Sequence, residues 1–292
     1  MSSVLITGGN SGIGKATALA LAQKGWNVIL TARDRQRGEA AARDIGDATG
    51  RQVEVVDLDL SSLQSVKQCA EAVQRMQPAL DVLVNNAGLV LGERRVSVDG
   101  MEMTFAVNHV GHFFLTHLLL DSLRQAAAER GEARIVNVSS DAHRRVSSLS
   151  FDDLMAERHY DGFEVYSRSK LANVLFSSEL ARRLAGTSIT SNALHPGVVA
   201  TRFAQDGDSK GLIALFFHLF APLLRSSKKG AESSIFLSAD PSVRGTSGGY
   251  FFNSKKKRPS KAAREGEAAR RLWEQTEQLI FARLGADSMQ RL

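Results

Sequence analysis

Short apolar runs alternate with longer amphipathic stretches along the first two thirds of the 292-residue chain. The runs are continuous and rich in Val, Ile and Leu, a pattern typical of strands that are covered on both faces. It predicts strands at Val4–Thr7, Val28–Thr31, Val53–Asp57, Val82–Asn85, Ile135–Ser139 and Thr190–Leu194. The intervening stretches have helical periodicity, most clearly Asp34–Ala48, Leu63–Met76 and Val165–Leu184. This order predicts an α/β fold, with a doubly wound parallel sheet and right-handed crossovers.

The pattern loosens after His195. We predict a helix at Ala231–Ala239, a short strand at Tyr250–Phe252, and a charged helix from about Pro259 to Leu284. The sheet then has about seven strands. No composition shift marks a linker, so a single domain is predicted over residues 1–292. Its parts are a first half over about 1–140, a second half over about 141–255, and a C-terminal helical extension over about 256–292.

A glycine-rich turn follows the first strand, with the sequence Thr7-Gly8-Gly9-Asn10-Ser11-Gly12-Ile13-Gly14. A tight turn, a backbone close to a pyrophosphate and a helix packed closely on the strand each require a missing side chain. The helix N-terminus would supply free amides to the phosphates. Structural turns use the same residues, but the position between a first strand and a first helix favours dinucleotide binding. The candidate binding residues are Gly8, Asn10, Ser11, Gly12, Ile13 and Gly14, which makes residues 1–140 the cofactor half.

The residue after the second strand bears on which dinucleotide binds. Arg33 stands where an arginine can pair with the extra phosphate of NADP(H), whereas NAD(H) favours an acidic residue. Asp34 could bind a ribose hydroxyl, but we interpret it as the cap of the next helix. Lys15, near the glycine turn, would add positive potential. The sequence therefore favours NADP(H) over NAD(H).

The candidate acid/base pair is Tyr166 and Lys170, one helical turn apart on the same face. A lysine ammonium nearby favours the phenolate, so we expect Tyr166 to be partly ionised. Ser139 and Ser140 close the fifth strand, where a hydroxyl could hold the substrate oxygen, and the residues alone do not decide between them. The pair is weak evidence by itself, and its neighbours in the predicted fold strengthen it.

These motifs together resemble the short-chain dehydrogenase/reductase family over roughly residues 3 to 255. The resemblance rests on the glycine turn, Asn85-Asn86-Ala87-Gly88, Asn108, Ser140, the Tyr166–Lys170 pair and Pro196-Gly197. Within the family, the surroundings of Asn108, Lys170 and His195 resemble the retinol dehydrogenase-like group. The resemblance implies a single-domain Rossmann fold and makes the second half, residues 141–255, the catalytic and substrate half.

The resemblance also implies roles for individual residues. Tyr166 would be the general acid/base, Ser140 would orient the carbonyl, Lys170 would bind the nicotinamide ribose, and Asn108 would hold a water in a proton relay. Asp59 and Leu60 would flank the adenine. The remaining cofactor residues are implied at Asn86, Ala87, Gly88, Pro196, Gly197, Val198, Val199 and Thr201. Of these, the Val198 backbone and the Thr201 hydroxyl would meet the carboxamide.

The function expected is hydride transfer between the nicotinamide and a hydrophobic aldehyde, ketone or alcohol. The apolar segment 211–225 favours an apolar substrate, although plain core is an equal interpretation. A non-catalytic dinucleotide-binding or redox-sensing protein is the alternative, and the intact Ser140, Tyr166 and Lys170 argue against it. His109, His112 and His117 lack a carboxylate or thiol partner in the sequence nearby, so we predict no metal site.

Composition adds expectations about partners and compartment. The net charge of +6 comes partly from Lys255-Lys256-Lys257-Arg258, interpreted as a solvated tail, although a weak peripheral membrane association is open. We expect no nucleic-acid partner and no integral membrane span, since no stretch reaches about 20 apolar residues. Cys69, interpreted as a buried filler, is the one cysteine, which is compatible with a cytoplasmic protein. Many members of the family are oligomers, so a homodimer or homo-oligomer is expected.

Overall fold

The computed structural model describes residues 1–197 and 225–285, which form one sheet of eight strands between two layers of helices. The strands lie in the order β3-β2-β1-β4-β5-β6-β7-β8, and every neighbouring pair is parallel except β7 with β8. Their bounds are β1 Ser3–Ile6, β2 Asn27–Ala32, β3 Val53–Asp57, β4 Val82–Asn85, β5 Ala133–Val138, β6 Ile189–Leu194, β7 Tyr250–Phe252 and β8 Lys255–Lys257. The predicted α/β, doubly wound Rossmann architecture is confirmed.

The helices connect these strands as the periodicity predicts. Those of eight or more residues are α1 Gly12–Gln23, α2 Arg35–Thr49, α3 Leu63–Met76, α4 Gly111–Leu118, α5 Leu120–Arg130, α6 Gly162–Arg183, α7 Ser227–Ala239 and α8 Gly266–Leu284. A turn of helix at Met103–Phe105 and a π-helical stretch at Ala106–Val110 lead into α4. Within the ranges that the structure covers, no helix is long and apolar enough to cross a membrane.

Two hydrophobic cores, one on each face, hold the helices on the sheet. Alternation along β1 sends Leu5 into one core and Val4 and Ile6 into the other. The Leu5 face packs against α3, α4, α6 and α8, whereas the opposite face packs against α1, α2 and α7. Because both faces are covered, the strands β1, β2, β4 and β5 are mostly apolar, which is the pattern that predicted them from the sequence.

The strand β8 corrects the interpretation of the basic segment as a solvated tail. Lys255–Lys257 pairs antiparallel with β7 across a two-residue turn in which Asn253 and Ser254 have φ values of 51° and 57°. Two positive φ values are typical of the type I′ hairpin turn. The three lysine side chains are exposed, and charged side chains protect a sheet edge from further pairing. The sequence pattern did not predict this strand, because it has no apolar alternation. With β8 included, the sheet has eight strands rather than about seven.

The C-terminal helix begins later than predicted, at Gly266 rather than near Pro259. A short 3-10 turn at Ala262–Arg264 and an extended Glu265 precede it. The anchor of α8 is Trp273, which is 1% exposed and has its ring centroid 4.7 Å from that of Phe113. Truncating a buried tryptophan costs about 3–5 kcal/mol, so this contact fixes α8 against the helix layer that carries Tyr166 and Lys170.

Candidate active site

The carboxyl ends of the central strands open into a cavity of about 1170 Å³. Strand order reverses between β1 and β4, and ligands of open parallel sheets bind at such a point. The cavity wall contains the glycine turn after β1, Asn86-Ala87-Gly88 after β4 and Ser139-Ser140 after β5. Tyr166 and Lys170 of α6 form part of the same wall. The structure thus brings the two halves of the predicted site together.

The glycine turn has the shape that a phosphate-binding loop requires. Gly8 and Gly12 adopt φ values of 62° and 55°, in the left-handed region that favours glycine. A Cβ on Gly14 would lie 2.4 Å from the Gly8 carbonyl oxygen and 2.6 Å from Asn86 Nδ2. Ser11 makes no side-chain cap hydrogen bond to the first turn of α1 within the described residues. The Gly9 amide donates to the Thr31 carbonyl at 3.2 Å, but the amides in the first turn of α1 that Ser11 leaves uncapped remain available for a phosphate, so the loop fits a dinucleotide.

A hydrogen-bond network around Thr7 fixes the glycine turn against the loop after β4. The Thr7 hydroxyl accepts the amide hydrogens of Asn86 and Ala87 at 2.8 and 3.0 Å. It also lies 2.9 Å from His112 Nε2, while His112 Nδ1 lies 3.2 Å from the Asn108 carbonyl oxygen. The carbonyl can only accept, so Nδ1 carries the proton and Thr7 donates to Nε2. His112 is therefore a structural link between these loops.

Arg33 lies exposed on the cavity wall at the end of β2, where the sequence placed a phosphate-binding arginine. The interpretation of Asp34 as a helix cap is confirmed, because its carboxylate accepts the Arg37 amide hydrogen at 3.1 Å. The positive potential expected from Lys15 is offset, because its ammonium pairs with the Asp44 carboxylate of α2. Arg33 and Arg37 line the cavity near this end, as do Asp34 and Asp59.

The two serines after β5 have different surroundings. Ser139 is 2% exposed, and its hydroxyl donates to the Lys170 carbonyl oxygen at 2.7 Å. Ser140 is half-buried and its side chain hydrogen-bonds with Tyr166. The geometry therefore favours Ser140 as the hydroxyl that meets a substrate oxygen.

The Tyr166–Lys170 pair lies on one face of α6, as predicted, with Nζ 5.6 Å from the phenol ring centroid. Burial raises the pKa of Tyr166 to about 12, and the hydrogen bond with Ser140 acts in the opposite direction. Burial also lowers the pKa of Lys170 to about 8, and its ammonium donates to the Val138 carbonyl at 3.4 Å. Burial therefore opposes the partial ionisation of Tyr166 that was expected from the nearby ammonium. Partial ionisation of the phenol stays a prediction.

Asn108 lies in the π-helical stretch, fully buried, with its amide engaged by protein atoms. Its Oδ1 accepts the Leu89 amide hydrogen at 2.8 Å, and its Nδ2 donates to the Leu89 carbonyl and to the Ser169 hydroxyl, each at 2.9 Å. Both donors are thus used and one Oδ1 lone pair remains. A Cβ on Gly88 would lie 3.2 Å from both Asn108 Oδ1 and Lys170 Nζ, so these groups meet behind the loop after β4. The water-holding role of Asn108 stays a prediction.

The other predicted cofactor residues fall into two groups. Asp59, Leu60, Pro196 and Gly197 line the cavity, with the Asp59 carboxylate accepting the Ser61 amide and hydroxyl hydrogens at 2.9 and 2.7 Å. Val198, Val199 and Thr201 lie outside the described residues, as does most of the segment 211–225.

The residue that the sequence analysis missed is His143, which has no exposed surface. It stands three positions after Ser140, and its Nδ1 lies 2.7 Å from the Ser140 carbonyl oxygen. The same ring receives the Ser260 amide hydrogen at Nε2, at 3.1 Å. No sequence signal marks this bridge, because Ser260 is 117 residues away in the chain.

His195, discounted as a catalyst, lies in the cavity wall against aromatic rings. Its ring stacks on that of Phe252 with centroids 4.1 Å apart, and it lies 5.6 Å from that of Tyr250. Burial lowers the pKa of His195 to about 4, so the ring is neutral at neutral pH. It acts as packing.

The glycine turn lies in the same cavity wall as Ser140, Tyr166 and Lys170. This arrangement is that of a dinucleotide-dependent oxidoreductase that acts on CH–OH groups with NAD or NADP. The family model for short chain dehydrogenases matches residues 2–210. Human retinol dehydrogenase 13 is 42% identical over 282 residues, covering 95% of this chain and 84% of that relative. Retinol dehydrogenase 12 of Bos taurus is 41% identical over 281 residues, covering 96% and 86%. The chain therefore belongs to the short chain dehydrogenase family, in its retinol dehydrogenase-like group.

Solved structures show the same fold. A putative uncharacterized protein from Mycobacterium Paratuberculosis has a TM-score of 0.75 and 35% identity, covering 96% of this chain and 93% of its own. The complex of Pseudomonas aeruginosa RhlG with NADP has a TM-score of 0.69 at 27% identity, covering 86% and 93%. The 3-ketoacyl-(acyl-carrier-protein) reductase of Brucella melitensis, complexed with NADH, has a TM-score of 0.66 at 26% identity, covering 86% and 95%.

Proposed function

We propose that the protein is an NADP(H)-dependent oxidoreductase of hydrophobic aldehydes, ketones or alcohols, with Tyr166 as its general acid/base. The observation that carries the proposal is the hydrogen bond between the Tyr166 and Ser140 side chains at the wall of the cavity that also holds the glycine turn. Two hydroxyls close together can both bond one carbonyl oxygen. The non-catalytic alternative gives no reason for such a pair to face this cavity.

The bound dinucleotide would supply or accept the hydride. In the reductive direction, the Tyr166 hydroxyl donates its proton to the substrate oxygen, and Ser140 donates a hydrogen bond that orients the same oxygen. Lys170 would provide positive charge behind the phenol and bind a ribose hydroxyl. Asn108, which hydrogen-bonds with Leu89 and Ser169, would hold a water beside Lys170.

Reduction is the direction that the resting protonation favours. A phenol with a pKa of about 12 holds its proton at neutral pH, and the acid form is the one that carbonyl reduction consumes. Oxidation of an alcohol requires the phenolate instead, which burial disfavours.

The preference for NADP(H) rests on Arg33 and on the role of Asp34. The Asp34 carboxylate is engaged as the cap of α2, so it competes less for a ribose hydroxyl, while Arg33 remains on the cavity wall. A guanidinium pairs with a phosphate through charge-assisted hydrogen bonds. The proposed adenine site is Asp59–Leu60.

The proposed partners follow the relatives and the surface. The names of the curated relatives point to retinol-like substrates, in keeping with a hydrophobic carbonyl or alcohol. A homodimer would need a face other than the one that α8 covers, where Trp273 packs on Phe113 and Phe176. We propose a cytoplasmic location, with which a lone buried Cys69 is compatible.

The test is the substitution Tyr166→Phe, assayed by nicotinamide absorbance against a panel of aldehydes, ketones and alcohols with both dinucleotides. We expect turnover to fall at least about 10²-fold while dinucleotide binding is retained. Tyr160→Phe is the matched control, because the Tyr160 hydroxyl donates to the Leu91 carbonyl at 3.2 Å, outside the cavity wall. Full turnover by the Tyr166 variant would contradict the acid/base role.

A further inference from the structure

The catalytic end of the cavity is lined by more positive charge than the reaction itself needs. The cationic side chains there belong to Arg144, Arg145, Arg225, Lys257 and Arg258. The acidic side chain among the described lining residues at this end is Asp141, and its carboxylate is paired with Arg144 at 2.9 Å. We call Arg145, Lys257 and Arg258 the cationic rim.

The cationic rim is not neutralised by the protein that the structure describes. None of its three side chains forms an ion pair with a carboxylate within residues 1–197 and 225–285. The Arg145 guanidinium lies 5.5 Å from the Phe163 ring centroid, and that ring lies 6.3 Å from the ring of Tyr166. An unneutralised cation thus stands beside the aromatic wall that leads to the catalytic phenol.

The dinucleotide accounts for the charge at the other end of the cavity. The glycine turn follows β1 and Arg33 follows β2, on the β3 side of the sheet, whereas the rim follows β5 and ends β8. Arg144 Nη2 donates to the Arg258 carbonyl at 2.6 Å, which joins the two segments that carry the rim. The two segments that carry the rim are therefore held together on the substrate side of the cavity.

We propose that the substrate carries an anionic group, a carboxylate or a phosphate, beyond its reacting carbonyl, and that the cationic rim binds it. The inference rests on the proposed function and names the class of its substrate: an amphipathic carbonyl compound with an apolar body and an acidic end. Guanidinium groups bind both anions through paired, charge-assisted hydrogen bonds. A cleft of one sign of charge also speeds the arrival of an oppositely charged ligand.

The chain contains a matched control for this proposal. Along β8, Lys257 lines the cavity but Lys255 and Lys256 do not. The double substitutions Lys257→Gln with Arg258→Gln and Lys255→Gln with Lys256→Gln therefore remove the same charge from neighbouring positions. If the rim is a local binding site, only the first double substitution should weaken binding of the anionic group. If the effect comes from a diffuse positive field, both double substitutions should weaken it.

The experiment compares azelaaldehydic acid, which ends in a carboxylate, with its neutral methyl ester. We expect wild-type protein to have the higher kcat/KM for the acid, through KM, and added salt to reduce that preference. The 257/258 variant should lose about fivefold to tenfold of kcat/KM for the acid, with the ester unchanged. The 255/256 variant should behave like wild type with both compounds.

Three outcomes would overturn the proposal. The first is turnover of the ester with no preference for the acid, which leaves the proposed function intact. The second is equal losses in the two variants. The third is weaker sedimentation of the 257/258 variant with phosphatidylserine vesicles and an unchanged preference, which would assign the rim to a lipid surface. If neither compound reacts, the panel assay with the Tyr166 variant still tests the proposed function, and calorimetric binding of the acid to wild type and to the 257/258 variant tests the cationic rim by itself.

Discussion

His143 holds the carbonyl oxygen of Ser140 from inside the protein, with Nδ1 2.7 Å away. The opposite ring nitrogen receives the Ser260 amide hydrogen at 3.1 Å, and a backbone amide can only donate. The proton of the neutral ring is therefore on Nδ1, which donates to Ser140. Burial lowers the pKa of His143, in keeping with a neutral ring. His143 thus connects the C-terminal segment to the turn that presents the catalytic serine.

Two substitutions at His143 separate its two bonds. Asn places an amide the same number of bonds from the backbone as Nδ1, and Gln does so for Nε2. We expect His143→Gln, which loses the bond to Ser140, to lower kcat about tenfold with little change in KM. His143→Asn should keep kcat within about twofold and instead lose about 1–3 kcal/mol of stability, because the Ser260 amide is left without an acceptor. Steady-state kinetics and urea unfolding of both variants measure this, and equal losses of kcat would show a purely structural role.

The serine pair gives a second prediction. Ser140→Ala removes the hydroxyl beside Tyr166 and should lower kcat about 10²-fold. Ser139→Ala removes a buried bond to the Lys170 carbonyl and should cost about 1 kcal/mol of stability while kcat changes little. Kinetics and thermal unfolding of the two variants check the assignment. A greater loss of kcat in the Ser139 variant would reverse it.

The sequence was enough to predict the features that depend on residues close together in the chain. Strands β3, β4 and β7 have the predicted bounds, since short apolar runs bounded by polar residues or glycines mark strands. Asp34 was recognisable as a helix cap because it directly precedes a helical pattern. The Tyr166–Lys170 face followed from helical spacing alone.

Features that depend on tertiary contacts could not be predicted in this way. The role of His143 depends on its hydrogen bond with Ser260, which is distant in the chain. The pKa of Tyr166 depends on how completely the surrounding elements exclude water from the phenol. Strand β8 has no apolar residue, so only its pairing with β7 and the Asn253–Ser254 turn reveal it. Sequence reasoning also overrated Lys15, whose partner Asp44 lies on another helix.

Arg33 gives a third prediction, on the choice of dinucleotide. Arg33→Gln should raise the KM for NADPH about tenfold to 100-fold, because charge-assisted bonds to the extra phosphate are lost, while the KM for NADH stays unchanged. Arg35→Gln is the matched control, since Arg35 pairs with Glu39 and Asp57 and does not line the cavity. Initial rates with both dinucleotides measure the effect. A parallel change in both KM values would argue against a phosphate contact at Arg33.

Buried histidines give the last prediction, a loss of stability in mild acid. Burial lowers the pKa of His109 and His112 to about 3, and that of His117 and His195 to about 4, against an ordinary value of 6.5. In the unfolded chain these rings bind protons as the pH falls through 6.5, whereas in the folded protein they stay neutral until pH 3–4. The unfolded state therefore gains protons first, and the free energy of unfolding decreases with falling pH. It should be largest above the ordinary histidine pKa.

Each such ring contributes at most about 1.4 kcal/mol per pH unit below its ordinary pKa. Urea unfolding between about pH 7.5 and about pH 4.5 should show this decline. His117→Asn should reduce its slope, because the buried ring that stacks on Phe113 at 4.4 Å no longer titrates. His159→Asn is the control, since that side chain is exposed in the folded protein, and it should leave the slope unchanged. A flat profile over this range would mean that the folded protein accepts protons on the buried rings. The packing of these four histidines among aromatic rings and helices should prevent that.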